Sequence, residues 1–290
     1  MKRGISAIVT AYTRIEQTLA TLQQIRNCLP APDEILVHVD ANRIDCETAV
    51  RDAFPDVRVF LSNERIGPGG ARNKLLNEAR SELVASFDDD SYPLDSDYFA
   101  RVLQLFEKFP EASIIGAALY HVGELIGLDD HHAQWSADFC GGACVFRRKA
   151  FLDAGGYVPL PIAYGMEEVD LAIRLHARGG KILTTRWLRV FHDNDLKHHA
   201  NPEITAGSIA NLALLAYLRY PVSLWSIGVV QCVNRLLWLL RNGRRRGIWK
   251  GVTMIPAHLR ANRRYRLPLN KSEVRSYLAL RKSPLQAFTD

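Results

Sequence analysis

Short apolar strands and helical segments alternate through the first part of this 290-residue chain, and this alternation limits its possible folds most. Residues 5–11, 35–39, 57–61 and 83–87 have the composition of strands, and residues 16–28, 46–54 and 70–80 have the pattern of helices. This strict order predicts a mostly parallel sheet with helices on both faces. In such sheets ligands bind at the carboxyl ends of the strands. We therefore expect an α/β fold with its functional site at that edge.

The second part of the chain continues the alternation and then becomes entirely helical. We predict helices over about 98–109 and 166–178, strands over 113–120 and 188–191, and a strand with a short helix within 139–157. Residues 123–136, which include Asp129 and Asp130, lack periodicity and indicate a long loop over a site. These patterns predict a domain over 1–203, with halves 1–110 and 111–203, and a helical extension over 204–290.

The composition is typical of a globular protein in a reducing compartment. Hydrophobic residues make up 48% of the chain, which is enough for a large core. The five cysteines are an odd number without the two-residue spacing of zinc or redox motifs, so we expect reduced thiols in the cytoplasm. The first apolar segment is shorter than that of a signal peptide, and we expect no export.

The net charge of +6 is unevenly distributed along the chain. From Arg235 to Lys282 there are fourteen Lys and Arg and the single acid Glu273, so the remainder is net acidic. Lipid headgroups, nucleic acid or an acidic polymer would suit this basic tail. Residues 222–240 form the most apolar window, yet Gln231, Asn234 and Arg235 interrupt it. This favours an amphipathic helix in a membrane interface over a spanning helix, with a helix packed on the domain as the alternative.

Three consecutive carboxylates, Asp88, Asp89 and Asp90, follow the apolar strand at 83–87. Adjacent carboxylates repel one another, and the end of a buried strand tolerates them only where water, a cation or strong donors neutralise the charge. Oxygen ligands at close quarters suit Mg²⁺ or Mn²⁺, which usually bind together with a phosphate substrate. The alternative interpretation is a solvated acidic turn.

Three further clusters of polar residues follow. Glycines 67, 69 and 70 precede a helix that carries Arg72, an arrangement that suits a phosphate. Glu167 and Glu168 begin another helix, where they either interact with the helix dipole or raise each other's pKa, as a proton acceptor requires. Asp170 and Arg174, four residues apart, are expected to pair. His192 ends the last strand and is a candidate second ligand for a metal held by an aspartate.

The order of these residues resembles family 2 glycosyltransferases with the GT-A nucleotide-sugar-binding fold. The resemblance covers about residues 5–195 and depends on the ordered co-occurrence of several motifs. They are Tyr12 and Arg14, Asp40, Arg72 and Asn73, Asp88 to Asp90, Gly141 and Gly142, Glu167 and Glu168, and His192. The resemblance implies an inverting transfer of a sugar from a nucleoside diphosphate donor, with Mg²⁺ or Mn²⁺ as cofactor.

By position in the family pattern, each of these residues has an implied role in donor binding. Tyr12, Arg14 and Asp40 would line the nucleobase pocket, and Arg72 with Asn73 would hold the nucleotide.

The remaining positions have implied roles around the diphosphate and the acceptor. Asp88 or Asp89 would contact the ribose, and Asp90 would bind the metal that bridges the diphosphate, with His192 as a further ligand. Glu168 matches the Asp of the family's Glu-Asp pair and is our expected general base, with Glu167 as the second choice.

The resemblance also implies a biological setting for the reaction. The acceptor would be a glycan or a lipid-linked sugar in cell-surface polysaccharide biosynthesis. The enzyme would lie on the inner face of the cytoplasmic membrane, and no nucleic acid partner is expected because the tail has no recognisable nucleic-acid module.

Two alternative functions remain open at the level of sequence. A nucleotidyltransferase also needs carboxylates and a metal, but it would have an activating Lys in a glycine-rich first turn, and the segment after Ala11 has none. A catalytically silent protein that binds a membrane or nucleic acid would be indifferent to loss of Asp90 and Glu168, and its binding would depend strongly on salt.

Overall fold

The computed structural model describes residues 4–127, 130–162, 164–194 and 201–287, which form ten strands and ten α-helices. The strands are β1 (Ile5–Ala11), β2 (Glu34–Val39), β3 (Arg58–Leu61), β4 (Leu83–Asp88), β5 (Ser91–Pro93), β6 (Ala112–His121), β7 (Ala133–Ser136), β8 (Ala143–Arg147), β9 (Lys181–His192) and β10 (Leu285–Ala287). The helices are α1 (Ile15–Arg26), α2 (Ile44–Ala53), α3 (Gly67–Glu78), α4 (Tyr98–Lys108), α5 (Arg148–Asp153), α6 (Glu167–Ala177), α7 (Pro202–Arg219), α8 (Trp225–Arg241), α9 (Ile248–Ala261) and α10 (Lys271–Lys282).

A single mixed sheet forms the centre of the fold. Its strand order is β10-β7-β9-β6-β8-β4-β1-β2-β3, and β5 pairs with β9 outside this path. The pairs among β1 to β4 are parallel, as predicted. Beyond β4 the sheet is largely antiparallel, because β8 runs opposite to both β4 and β6, and β7 runs opposite to both β9 and β10. The predicted α/β class is confirmed, with a sheet that is mixed and parallel mainly in its first half.

Neighbouring residues of the central strands contribute to different apolar layers, one on each face of the sheet. In β1, Val9 belongs to one layer and Ile8 to the other, and in β4 Ala85 and Val84 divide in the same way. Helices α1, α2 and α4 cover the first layer, and α3, α5 and α6 cover the second. Because both faces are buried, these strands are continuous apolar runs in the sequence.

Four strands differ from the sequence predictions, and one of them, β5, was not predicted at all. β7 lies within the predicted loop 123–136, β9 begins at Lys181 instead of residue 188, and β10 lies in an extension predicted to contain only helices. β7 and β10 pair with each other, and Ala133 lies opposite Ala287. β7 and β10 are too short to have a recognisable sequence pattern, and each depends on a partner that lies far away in the chain. Asp129, which belonged to the predicted loop, lies outside the described residues.

The helical extension packs against the domain through α7. The carboxylate of Asp170 on α6 is fully buried and accepts hydrogen bonds from two guanidinium groups. Arg174 binds it with Nη2–Oδ2 at 2.7 Å, which confirms the predicted pair, and Arg219 of α7 binds it with Nη2–Oδ2 at 3.2 Å. One carboxylate therefore holds α6 and α7 together.

Helix α8 packs on α7 but leaves much of its apolar surface exposed. A Cβ on Gly228 would lie 2.5 Å from Cβ of Ala216, so the two helices touch at this glycine. On the outer side, Val229, Val233 and Leu237 are 61%, 47% and 44% exposed, at the four-residue spacing of one helix face. Of the described residues, only Val222–Arg241 is long and apolar enough to cross a membrane, by length and composition alone.

The Asp170 network predicts a measurable loss of stability when one guanidinium is removed. Replacing Arg219 with Met leaves a buried carboxylate with only Arg174 as its charged partner, and we expect the free energy of unfolding to fall by roughly 3 kcal/mol. Urea denaturation of this variant and of the wild type measures the difference. Arg241→Met removes an exposed arginine of α8 and is the matched control. Equal stability of the two variants would contradict the proposed role of Arg219.

Candidate active site

A cleft of about 590 Å³ opens at the carboxyl ends of the central strands. Ten of the eleven side chains predicted from the sequence line it. These are Tyr12, Arg14, Asp40, Arg72, Asp88, Asp89, Asp90, Glu167, Glu168 and His192. The structure thus brings together residues from β1, β2, α3, β4, α6 and β9. Asn73 is the exception among the predicted residues.

The pairing of β5 with β9 brings His192 next to the aspartates. Ser91, the first residue of β5, lies opposite His192 in this antiparallel pair. The backbone N–H of Asp193 also donates to the carbonyl oxygen of Asp90, at 2.7 Å. As a result, Nε2 of His192 lies 3.1 Å from Oδ1 of Asp90, although the two residues are far apart in the sequence.

Asp90 is buried and ionised in spite of its burial. Desolvation opposes its charge, but the hydrogen bond and charge of His192, the charge of Arg14 and the hydrogen bond from Asn194 outweigh it and lower the pKa of Asp90. Nδ2 of Asn194 lies 3.2 Å from Oδ2 of Asp90. For His192, burial alone would lower the pKa, but its hydrogen bond to Asp90 and the charge of that carboxylate raise it overall.

Arg14 lies against two of the three aspartates. Its guanidinium donates to Oδ1 of Asp89 at 2.6 Å and also to Oδ2 of Asp90. Burial raises the pKa of Asp89 to about 7, an effect that Arg14 opposes and the charges of Asp90 and Asp88 reinforce. The repulsion expected within the triplet is thus relieved by a guanidinium, and Arg14 lines the aspartate side of the cleft.

Arg72 is almost completely buried and joins three elements. Nε donates to Oγ of Ser86 at 3.1 Å, Nη1 donates to Oε1 of Glu167 at 3.1 Å, and Nη2 donates to Asp88. Asn73 points away from the cleft, because consecutive helical residues face different directions. Its amide instead holds the backbone of Tyr157, with Nδ2 to the carbonyl oxygen at 2.9 Å and Oδ1 to N–H at 2.8 Å.

Glu167 and Glu168 have different surroundings at the start of α6. Glu167 is 4% exposed and is tied to Arg72, whereas Glu168 is half-buried and accepts a long hydrogen bond from N–H of Gly141, at 3.3 Å. Burial raises the pKa of both carboxyl groups, and the neighbouring charge of Glu168 adds to the shift at Glu167. A Cβ on Gly142 would collide with Asp88, which explains the glycine at this position.

Asp40 fixes the segment that leads into α3. Its carboxylate accepts hydrogen bonds from Oγ of Ser62 at 2.8 Å, from N–H of Ile66 at 3.0 Å and from N–H of Gly67 at 2.9 Å. Gly67 has φ of 72° and would place any Cβ against the backbone of Leu160, so glycine is required there. Asp40 therefore shapes the cleft edge mainly through the backbone.

Sequence reasoning missed several residues of the cleft. Arg65 lies with its guanidinium carbon 5.4 Å from the ring centroid of Tyr12. Tyr164 lines the cleft beside Glu168. His121 ends β6, and its ring centroid lies 5.2 Å from that of His192. The rule that strand ends carry functional residues would have identified His121, but no local pattern marks Arg65 or Tyr164.

The described residues contain no group of three or more His, Cys, Asp or Glu side chains arranged to hold a metal ion. Asp90 and His192 nevertheless place an oxygen and a nitrogen donor 3.1 Å apart in the cleft. Two protein donors suit a hard divalent cation that arrives with a diphosphate, since Mg²⁺ usually keeps several non-protein ligands. The donor set is therefore compatible with a cation shared between protein and substrate.

Comparison with known proteins identifies a matching family. Residues 6–136 match the family model described as Glycosyl transferase family 2. Over these residues the chain therefore matches glycosyltransferase family 2. An uncharacterized protein of Sinorhizobium fredii is 21% identical over 69% of the chain, and an uncharacterized glycosyltransferase of Bacillus subtilis is 27% identical over 51%. The chain spans only 26% and 33% of the lengths of these two relatives.

Solved structures share the GT-A fold with this chain. A mannosyltransferase of Pyrobaculum calidifontis, in complex with GDP-Man and Mn²⁺, is 15% identical, with a TM-score of 0.59 over 98% of this chain and 88% of its own. TarS of S. aureus, residues 1–349 with UDP-GlcNAc, is 15% identical, with a TM-score of 0.57 over 73% and 65%. GalNAc-T7, solved with UDP, GalNAc and Mn²⁺, is 14% identical, with a TM-score of 0.59 over 76% and 49%.

The contact between Asp90 and His192 predicts a shift that can be measured without substrate. In Asp90→Asn the carboxylate charge is lost, so the pKa of His192 should fall below its wild-type value because the main contact that opposes the effect of burial is removed. Titration of the imidazole NMR signals in protein without added metal measures both values. The raised pKa also means that protonated His192 stabilises the wild type at low pH, and this contribution disappears as pH rises through the pKa.

His258 is the internal control for this titration, since burial lowers its pKa and it lies on α9. An unchanged pKa of His192 in Asp90→Asn, with a normal His258 signal, would rule out the contact.

Proposed function

We propose that this protein transfers a sugar from a nucleoside diphosphate donor to an acceptor hydroxyl, with inversion of configuration. The observation that carries the proposal is the convergence of Asp90, His192 and Glu168 on one cleft from three distant segments. The family and the shared fold support a nucleotide-sugar donor, since the structures of similar fold contain UDP, UDP-GlcNAc or GDP-Man. The expected acceptor is a glycan or a lipid-linked sugar of cell-surface polysaccharide biosynthesis.

The donor's nucleoside would lie on the side of the cleft formed by β1 and β2. The ring of Tyr12, 40% exposed and covered by Arg65, offers a stacking surface for a base. Asp88, which is half-buried, can accept a hydrogen bond from a ribose hydroxyl. Arg72 acts indirectly, because its guanidinium is already bound to Asp88 and Glu167 and holds both carboxylates in place.

The diphosphate would lie beside Asp90 and His192. These two residues would hold Mg²⁺ or Mn²⁺, which supplies positive charge to the departing diphosphate when bound. Arg14 lies at the same carboxylates and can reorient toward a phosphate, since its side chain is partly exposed. The protein groups thus provide charge where the leaving group develops its own.

Glu168 is our proposed general base. It takes the proton of the acceptor hydroxyl at its carboxylate as the oxygen attacks the anomeric carbon. The bond from that carbon to the nucleoside diphosphate breaks in the same step and the diphosphate leaves from the opposite face, so the configuration inverts. The raised pKa suits this role, because a base near the working pH transfers protons efficiently. Glu167 is less suited, since it lies deeper and is bound to Arg72.

Neither alternative function is favoured by the contacts in the cleft. A nucleotidyltransferase would need a lysine at the phosphates, and no lysine lines the cleft among the described residues. A silent binding protein would have no need for two carboxyl groups with raised pKa beside a buried arginine.

Replacing Glu168 with Gln should separate donor binding from catalysis. We expect thermal-shift assays against UDP- and GDP-sugars with Mn²⁺ to find a donor that stabilises wild type and Glu168→Gln equally. Transfer of the sugar to water or acceptor should fall by about 10²- to 10⁴-fold in the variant. The wild-type rate should rise with pH through the raised pKa of Glu168, because the base must be ionised, and the variant should lack this rise.

Asp90→Asn is the companion variant and should lose the Mn²⁺-dependent part of the stabilisation. Full transfer activity of both variants would contradict the proposal, and so would a wild-type protein that no nucleotide sugar stabilises.

We also propose that the outer face of α8 and α9 lies on an anionic membrane surface. The apolar side chains Val229, Val233 and Leu237 are exposed, and Trp249 on α9 is 78% exposed. Exposed basic residues nearby in sequence include Arg245 and Arg246, and each basic residue near anionic lipid contributes about 1 kcal/mol. This arrangement is typical of interfacial helices and would place the protein on the inner face of the cytoplasmic membrane.

Negative charges placed on the outer face of α8 should weaken membrane binding. In Val229→Asp with Val233→Asp, two acids replace apolar contacts, and we expect binding to vesicles of phosphatidylglycerol and phosphatidylcholine to weaken at least about tenfold. Co-sedimentation measures the bound fraction. The matched control is Leu29→Asp with Ile44→Asp, which adds the same charge at exposed apolar positions of the catalytic domain. Equal loss in both variants, or no binding by wild type, counts against the membrane face.

A further inference from the structure

Two arginines of the helical extension converge on one indole ring. Cζ of Arg235, on α8, lies 4.7 Å from the ring centroid of Trp238, and Cζ of Arg244, just after α8, lies 5.5 Å from it. Both arginines are half-buried, whereas the adjacent Arg245 and Arg246 are exposed. The Arg235, Trp238 and Arg244 side chains form what we call the arginine pair site.

The arginine pair site has positive charge that no carboxylate of the described residues neutralises. Among the residues that the structure describes, neither Arg235 nor Arg244 forms an ion pair with a carboxylate, and the hydrogen bond found for Arg235 is to Oγ of Ser208, at 3.3 Å. Burial and the charge of Arg244 lower the pKa of Arg235. Like charges held together and partly desolvated are unfavourable, so an anion bound between them would be stabilised.

The arginine pair site lies near Tyr164, a residue that lines the cleft together with Glu168. Ser208, which binds Arg235, lies one helical turn before Asn211 on α7. Nδ2 of Asn211 donates to the carbonyl oxygen of Tyr164 at 3.2 Å, and Tyr164 lines the cleft. Burial raises the pKa of Tyr164, and the charges of Arg244 and Arg235 oppose the shift, so both lie within electrostatic reach of it.

We propose that Arg235 and Arg244 bind a phosphoryl group carried by the acceptor. This inference rests on the proposed function, because it places the acceptor at the Glu168 side of the cleft. Guanidinium groups bind phosphate oxygens through paired hydrogen bonds, and two of them match a phosphoryl dianion. Trp238 and Leu240, 44% and 46% exposed, offer apolar contact for the part of the acceptor beyond the phosphate.

The role of the arginine pair site is separate from that of the outer membrane face. Arg235 and Arg244 are half-buried and lie against the ring of Trp238, whereas Arg245 and Arg246 are exposed and can contact any anionic surface. A discrete phosphoryl ligand should therefore depend on the first pair and not on the second.

Binding of hexyl phosphate to the full chain tests this inference. Isothermal titration calorimetry should detect binding to wild type, and Arg235→Gln with Arg244→Gln should weaken it at least about tenfold, because charge-assisted hydrogen bonds are lost. Arg245→Gln with Arg246→Gln removes the same charge and should change the affinity less than about twofold. Hexanol should not bind, and both double variants should keep the stabilisation by the nucleotide-sugar donor.

The opposing outcomes are distinct. Absence of hexyl phosphate binding to wild type, or equal weakening in both double variants, overturns the arginine pair site. Loss of binding to phosphatidylglycerol vesicles in Arg235→Gln with Arg244→Gln, with unchanged binding of hexyl phosphate, assigns the pair to lipid headgroups and also overturns it. If wild type is stabilised by no nucleotide sugar, the proposed function fails, while hexyl phosphate binding still reports on the arginines alone.

Discussion

The buried guanidinium of Arg72 is the interaction on which the cleft depends. It extends from α3 to the end of β4 and to the start of α6, and it binds Ser86, Asp88 and Glu167. A guanidinium so deeply buried is stable only because carboxylates neutralise it, and those carboxylates are held in place by the same contacts. The side of the cleft that would receive the ribose and the side that carries Glu168 are therefore fixed relative to each other by one residue.

The helical extension is connected to the cleft by further hydrogen bonds. Asp170, one turn into α6, binds Arg219 of α7. Asn211 of α7 donates to the backbone carbonyl oxygens of Ile162 and Tyr164, which precede Glu167 in the chain. His258 of α9 in turn lies 2.9 Å from Oδ1 of Asn211. A membrane face on α8 and α9 would thus be linked through hydrogen bonds to the Glu168 side of the cleft, and Arg235 of the arginine pair site donates to Ser208 of the same helix α7.

Most of the local structure could be predicted from the sequence, because periodicities of two and of 3.6 residues depend only on near neighbours. The first seven predicted elements have observed ends within three residues of the predicted ones. Which strands pair with each other was less predictable, because pairing joins segments that are distant in the sequence. β7 pairs with β10, and β8 pairs with β4 and β6. The identity of candidate site residues followed from strand ends and helix starts, whereas Asn73 was misplaced because adjacent residues of a helix diverge.

The sequence by itself determined which carboxylates, arginines and histidine were available and that an α/β sheet would collect them at one edge. Only the tertiary structure decided that Arg14 neutralises Asp89 and Asp90, that Glu167 is tied to Arg72 while Glu168 is left beside the cleft, and that Arg235 and Arg244 share one indole ring. The physical reason is the distance along the chain over which each kind of interaction acts. Backbone patterns are encoded locally, but the partner of a long charged side chain depends on which segments the folded chain brings within a few ångströms.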